Sequence, residues 1–116
     1  MAALTDLTWQ QLLDQLPANA VKVDAGGKVV IDVSVVTGTT ADALTDVAVV
    51  KFFNVMFSAA NKAQTAANSG QVDGEKLAAF APATIGANAN GYITLTRQFT
   101  CRSELATATN IIGSNV

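Results

Sequence analysis

The segment 42–68 constrains this chain more than any other part of it. Lys51, Asn54, Ser58, Asn61, Thr65 and Asn68 recur at spacings of three and four. With 3.6 residues per turn, those spacings gather them into one narrow polar stripe. Nearly everything else over 47–60 is apolar. A strand competes locally, because 47–57 is rich in β-branched and aromatic residues. The stripe and the alanine-rich continuation favour a helix over 42–68. Thr40 and Asp42 are candidate caps, Asp42 and Asp46 suit the positive end of the helix dipole, and Gly70 suits the exit. A helix apolar on most sides is buried on most sides. One face of a small sheet cannot cover all of it, so this helix is either the centre of the fold or part of a subunit interface. Phe52, Phe53, Val55, Met56 and Phe57 are the interface candidates. The pattern leaves open which of them face the core and which a partner.

The flanking segments supply the rest of an α+β domain. Thr8 followed three residues later by Gln11 has the form of a capping box, and Trp9, Leu12, Leu13 and Leu16 then fall on one helical face before Pro17. Val21 and Val23 alternate with Lys22 and Asp24, and Val29, Ile31, Val33 and Val35 alternate with Lys28, Val30, Asp32 and Ser34. Between these runs lies Ala25-Gly26-Gly27, a three-residue hairpin loop with Gly27 in the left-handed position. This register sets Val23 opposite Val29 and Asp24 opposite Lys28, and it puts the odd-numbered apolar residues on one face. Residues 70–91 look irregular, with a helical turn over 75–80 and a polar loop over 85–91. The last strand is expected over 92–102, with Ile93, Leu95, Arg97, Phe99 and Cys101 on one face. A short helix over 103–109 and a tail over 110–116 would follow. The expected fold is therefore a single domain, 1–109, in the order α-β-β-α-β. Its three-stranded, mostly antiparallel sheet would pack on one long helix.

Several function classes find no foothold in this sequence. It has no histidine and one cysteine, too few ligands for zinc, copper or haem-type sites, and it lacks the usual histidine base for a Ser or Cys nucleophile; a Ser-Lys or Thr-Lys pair stays open, with no recognisable spacing behind it. No cofactor, metal or catalytic residue is expected. The seven basic residues are dispersed and the net charge is −2. Neither nucleic acid nor an anionic membrane surface is therefore an expected partner. The start lacks a basic leader and no run is apolar enough to span a bilayer, so the cytoplasm, or the inside of a particle, is the expected location. Charged residues make up 14% of the chain, against about 25% in a typical soluble domain. A surface so weakly charged opposes self-association less than usual. In its Ala-, Thr-, Val- and Asn-rich composition the chain resembles small structural subunits of viral particles and other repetitive assemblies.

Three local features remain. Thr37, Gly38, Thr39 and Thr40 join a predicted strand to a predicted helix. A turn of that kind can hold an anion through amides and hydroxyls, although the Gly-Lys pair of a phosphate loop is missing. Arg97 lies on an apolar strand face, where it must snorkel, pair with an acid or meet a ligand. Cys101, on the same face, is expected to be a small buried hydrophobe. Together these features predict a non-catalytic structural protein. Its partners would be copies of itself or other assembly subunits, in a homo-oligomer or a larger array such as a virion. The alternative is a small-molecule or anion binding domain, an enzyme included, that uses Thr37 to Thr40 with Arg97.

Overall fold

A computed structural model describes residues 4–39, 48–87, 90–104 and 107–113. The chain is α+β. Its elements are α1 (Trp9–Leu13), β1 (Val21–Val23), β2 (Val29–Ile31), α2 (Val33–Thr37), α3 (Val49–Asn68), β3 (Thr84–Ile85), β4 (Leu95–Thr96), β5 (Arg102–Glu104) and β6 (Thr107–Gly113). The expected three-stranded sheet is replaced by separate two-stranded antiparallel ladders, β1–β2, β3–β4 and β5–β6.

The capping box at α1 forms as its spacing predicts. Thr8 Oγ1 accepts the N–H of Gln11 at 3.2 Å, and Gln11 Oε1 accepts the N–H of Thr8 at 2.8 Å, so two donors that the helix cannot satisfy internally are paired. Leu12 and Leu16 pack against the core, whereas Trp9 at the start of the same face stays 51% exposed.

The β1–β2 hairpin has the expected register, Val23 opposite Val29 and Val21 opposite Ile31. The Asp24 N–H donates to Lys28 O at 2.8 Å, and Asp24 Oδ1 accepts from the Gly26 and Lys28 amides. Gly27 takes a φ of +81°, a conformation that a Cβ would strain. Only the base of the apolar face is covered: Val21 is buried, while Val23 and Val29 at the tip are exposed.

The strand predicted through Val35 ends at Ile31. Asp32 intervenes. Its Oδ1 accepts from the Val35 N–H at 3.3 Å and from Ser34 Oγ at 2.7 Å, the bonding of a helix N-cap. Val33–Thr37 become α2 despite their β-branched side chains. The cap and the burial of Val36 and Thr37 outweigh a propensity that costs only a fraction of a kcal/mol per residue, about 0.7 at most. Gly38, at φ +68°, closes the turn through its N–H to Ser34 O and Val35 O.

The core joins these pieces to α3. Ala20, Val36 and Met56 are its buried centre, flanked by Leu12, Leu16, Ile31, Val35, Phe52, Val55 and Phe57. Farther along α3, Ala59, Ala60 and Ala63 are buried; such small side chains let a neighbouring backbone approach closely. The helix ends before Gly70 (φ +82°), as expected. Its start differs from the one expected near Asp42: Ala48 is extended (φ −82°, ψ 116°) and α3 begins at Val49, while the proposed caps, Thr40, Asp42 and Asp46, lie outside the described residues. Among the described residues no helix is long and apolar enough to cross a membrane.

After α3 the chain departs further from expectation. No helical turn forms over 75–80. Residues 79–86 instead run antiparallel to 94–100. Ile85 pairs with Leu95 and Thr84 with Thr96, but the next bridge is Phe80 with Phe99, followed by the Thr100 N–H donating to Ala79 O at 2.7 Å. Three residues, 81–83, thus face two, 97–98. Pro82, which cannot donate to a ladder, sits in this bulge. The bulge interrupts pairing, so the strand predicted over 92–102 is laddered only at Leu95–Thr96, and Cys101 is exposed rather than buried. The helix expected over 103–109 is replaced by β5 and β6, and the tail expected from 110 begins inside β6. Thr107, Thr109, Ile111 and Ile112 are β-branched, which suits a paired strand. Residues 114–116 lie outside the described residues.

Candidate functional site

The polar stripe of α3 is a docking track. Asn54, Asn61 and Asn68 stand seven residues apart, almost two turns, so they share one face. In the C-terminal half these amides hold the segment 77–80. Asn68 Nδ2 donates to Leu77 O at 2.9 Å, and Asn68 Oδ1 accepts the Leu77 N–H at 2.7 Å. Gln64 repeats the arrangement on Phe80, donating to its carbonyl at 3.0 Å and accepting its N–H at 2.9 Å. Asn61 adds a second donor to Phe80 O at 2.9 Å. A primary amide carries a donor and an acceptor side by side, so it can stand in for a strand neighbour. Leu77 is buried as a result, at 3% exposure. The C-terminal half of the stripe therefore meets this strap through Asn61 and Asn68, and the sequence signal for that was its makeup: neutral Asn, Ser and Thr fill five of its six positions where a solvated face would carry charges.

The N-terminal half of the same face is uncovered. Val50, Phe53 and Phe57 of α3 oppose Ile93, Leu95 and Arg97 across a groove of about 540 Å³, with Lys51 and Asn54 at its side. Val50 is 82% exposed, Phe53 51% and Ile93 54%. The shared strand face predicted for Ile93, Leu95 and Arg97 is present, and it forms this wall. All five phenylalanines of the chain connect edge-to-face or tilted: Phe52 to Phe53, Phe53 to Phe57, and Phe57 to both Phe80 and Phe99. Phe57 thus links the open groove to the closed strap.

The groove is cationic. Arg97 Nε donates to Asn54 Oδ1 at 2.6 Å. Of the readings left open for Arg97, pairing with an acid is not the one seen: its described partner is a neutral amide, which orients the guanidinium without neutralising it. Lys51 is the second cation, and no carboxylate, thiol or hydroxyl is among the lining residues. Such a surface can bind through apolar contact and positive charge.

The five interface candidates separate by burial. Met56 belongs to the core, Phe52, Val55 and Phe57 are half-buried against it, and Phe53 stands in the groove. In the proposed anion turn, Thr37 is buried at the C-terminal end of α2 and its Oγ1 donates to Val33 O at 2.9 Å; Thr39 Oγ1 lies 2.7 Å from it, within hydrogen-bond distance. The helix end there is the negative one. Arg97 is held at Asn54, and no described hydrogen bond joins it to Thr37, Gly38 or Thr39. Thr40 lies outside the described residues. A separate hollow of about 230 Å³ involves Asp6, Trp9, Leu12, Ala60 and Phe80.

No protein-family model matches this chain, and no curated protein or solved structure compared with it is significantly similar.

Proposed function

We propose that this protein is a non-catalytic structural subunit that assembles with copies of itself into a homo-oligomer or a larger repetitive array. The observation that supports this reading is the uncovered half of α3. Singly exposed apolar side chains are ordinary on a monomer, but contiguous ones mark contact surfaces. Here Val50, Phe53, Ile93 and Leu95 share one groove, beside a helix whose other half is bonded along one face to the 77–80 strap. The low charge of the chain acts in the same direction, because little repulsion opposes the approach of a second copy.

Light scattering over a tenfold concentration range tests the reading. A mass above that of the 11.9 kDa chain, returned to the monomer value by Phe53→Ser, is the expected result. A monomer at every concentration would overturn it. A second reading, favoured by the volume of the groove and by Arg97, is a small amphipathic anion held against the apolar walls. Grooves of roughly 300–1,000 Å³ with few polar groups are typical ligand sites. Protection of Phe53 and Ile93 signals by a medium-chain carboxylate, without a change in mass, would favour it.

A further inference from the structure

We infer that the groove receives the Trp9 edge of a second copy, in a head-to-tail contact that sets Asp6 against Arg97 and Lys51; this rests on the assembly reading above. Charge selects the occupant. An apolar body pressed into the groove would cover Arg97, whose sole described partner is the neutral Asn54, and a covered guanidinium facing no anion is strongly destabilising. The occupant must therefore bring a carboxylate together with a large apolar side chain.

The chain itself carries such a surface. Among the described aspartates, Asp24 holds the hairpin turn, Asp32 caps α2, Asp73 pairs with Lys76 at 3.6 Å and Asp14 accepts from Gln10; Glu75 has no described side-chain partner, so the choice between it and Asp6 rests on the apolar side chain beside each. Asp6 accepts only from the N–H of its neighbour Leu7. It shares a hollow with the half-exposed indole of Trp9. Trp and Arg are the side chains that most often anchor interfaces, and here one stands on each surface with its charge complement beside it.

The two surfaces are distinct, since neither Asp6 nor Trp9 lines the groove. A contact between them is heterologous. Each added copy leaves one edge and one groove free, so growth continues to a ring or a filament and does not stop at a two-fold dimer.

Complementation tests this with the full chain. Arg97→Glu with Lys51→Glu reverses the groove's charge; Asp6→Ala with Trp9→Ala removes the edge without creating a cation that the reversed groove could attract. Lys51→Glu with Val50→Glu, both at exposed positions, serves as a second groove variant if the first loses its circular dichroism. Wild type is expected above dimer mass. Each variant is expected to be monomeric at that concentration, with association weakened at least about tenfold. A one-to-one mixture of a groove variant and the edge variant is expected to form a dimer that grows no further, through the one intact groove and the one intact edge. A folded variant that assembles like wild type, or a mixture that stays monomeric, would overturn the inference and leave the assembly reading standing. A wild-type chain that is monomeric at every concentration would remove both.

Discussion

The two halves of α3 present the same face to different fates. From Asn61 to Asn68 the face is covered by chain, and every amide on it meets a backbone group of Leu77 or Phe80. From Val49 to Phe57 it lies open, and Asn54 meets a side chain, Arg97. Both halves are amide-bearing and both adjoin apolar surface. What separates them is whether the chain has a segment left to lay across them. The strap 77–80 reaches the near half a few residues after the exit at Gly70. The bulge at Pro82 then turns the following hairpin so that its β4 strand walls the far half without filling it. One helix face can thus be closed by its own chain in one half and stand open in the other.

Removing the link between the halves is expected to have the largest effect. Phe57 touches Phe53 on the open side and Phe80 and Phe99 on the closed side. Phe57→Ala should cost about 3 kcal/mol in urea denaturation, the low end for a buried phenylalanine because this one is half-buried. A loss below about 0.5 kcal/mol, the range of ordinary surface changes, would mean the halves are independent. Next in size is the strap. Asn68→Ala leaves the Leu77 N–H and C=O without their partner beside a buried side chain, at a cost of about 1–3 kcal/mol, and amide exchange at Leu77 should quicken. The matching change on the open half, Asn54→Ala, frees a guanidinium that water can reach and should cost under about 1 kcal/mol. Equal losses from the two substitutions would erase the distinction drawn here. Phe53→Ser should leave folding within about 0.5 kcal/mol of wild type while abolishing assembly in light scattering. Destabilisation comparable to Phe57→Ala would place Phe53 in the core.

The smallest effect lies away from both halves and calibrates them. The Ser34 hydroxyl, followed by the Val35 N–H, holds the Asp32 carboxyl below its ordinary value. A depressed carboxyl stabilises the fold above its unfolded pKa, near 4, and that contribution is lost as pH falls through the folded value. The difference in melting temperature between wild type and Asp32→Ala should therefore be greatest at neutral pH and shrink below about pH 4. A difference that stays constant into that acid range would show that the carboxylate charge contributes nothing to the cap.

Local chemistry was legible wherever it closed over a few residues. The Thr8–Gln11 box, the Gly27 turn with its register and the exit of α3 at Gly70 all rest on spacings that one hydrogen bond or one left-handed residue satisfies. The site was legible in part: Phe53 and Arg97 were singled out, and Ile93, Leu95 and Arg97 were placed on one strand face. The groove itself was not, nor was its contrast with the strap. Asp32 misled in another way. Its alternation with valines has strand periodicity, yet a carboxylate aimed at the Val35 amide started a helix. Cys101 was expected inside a strand that the bulge at Pro82 interrupts.

The sequence by itself determined that one long helix would carry a polar stripe on an otherwise apolar cylinder, that a hairpin would precede it, and that few charges would lie at the surface. Those outcomes follow from periodicity and composition, which act over one or two turns of chain. Tertiary structure alone decided which half of the stripe would be covered, which phenylalanine would face outward and what Arg97 would meet. These depend on where residues 77–100 travel after the helix, and that path is set by contacts between residues 9 to 43 positions apart, longer than one helical or strand period.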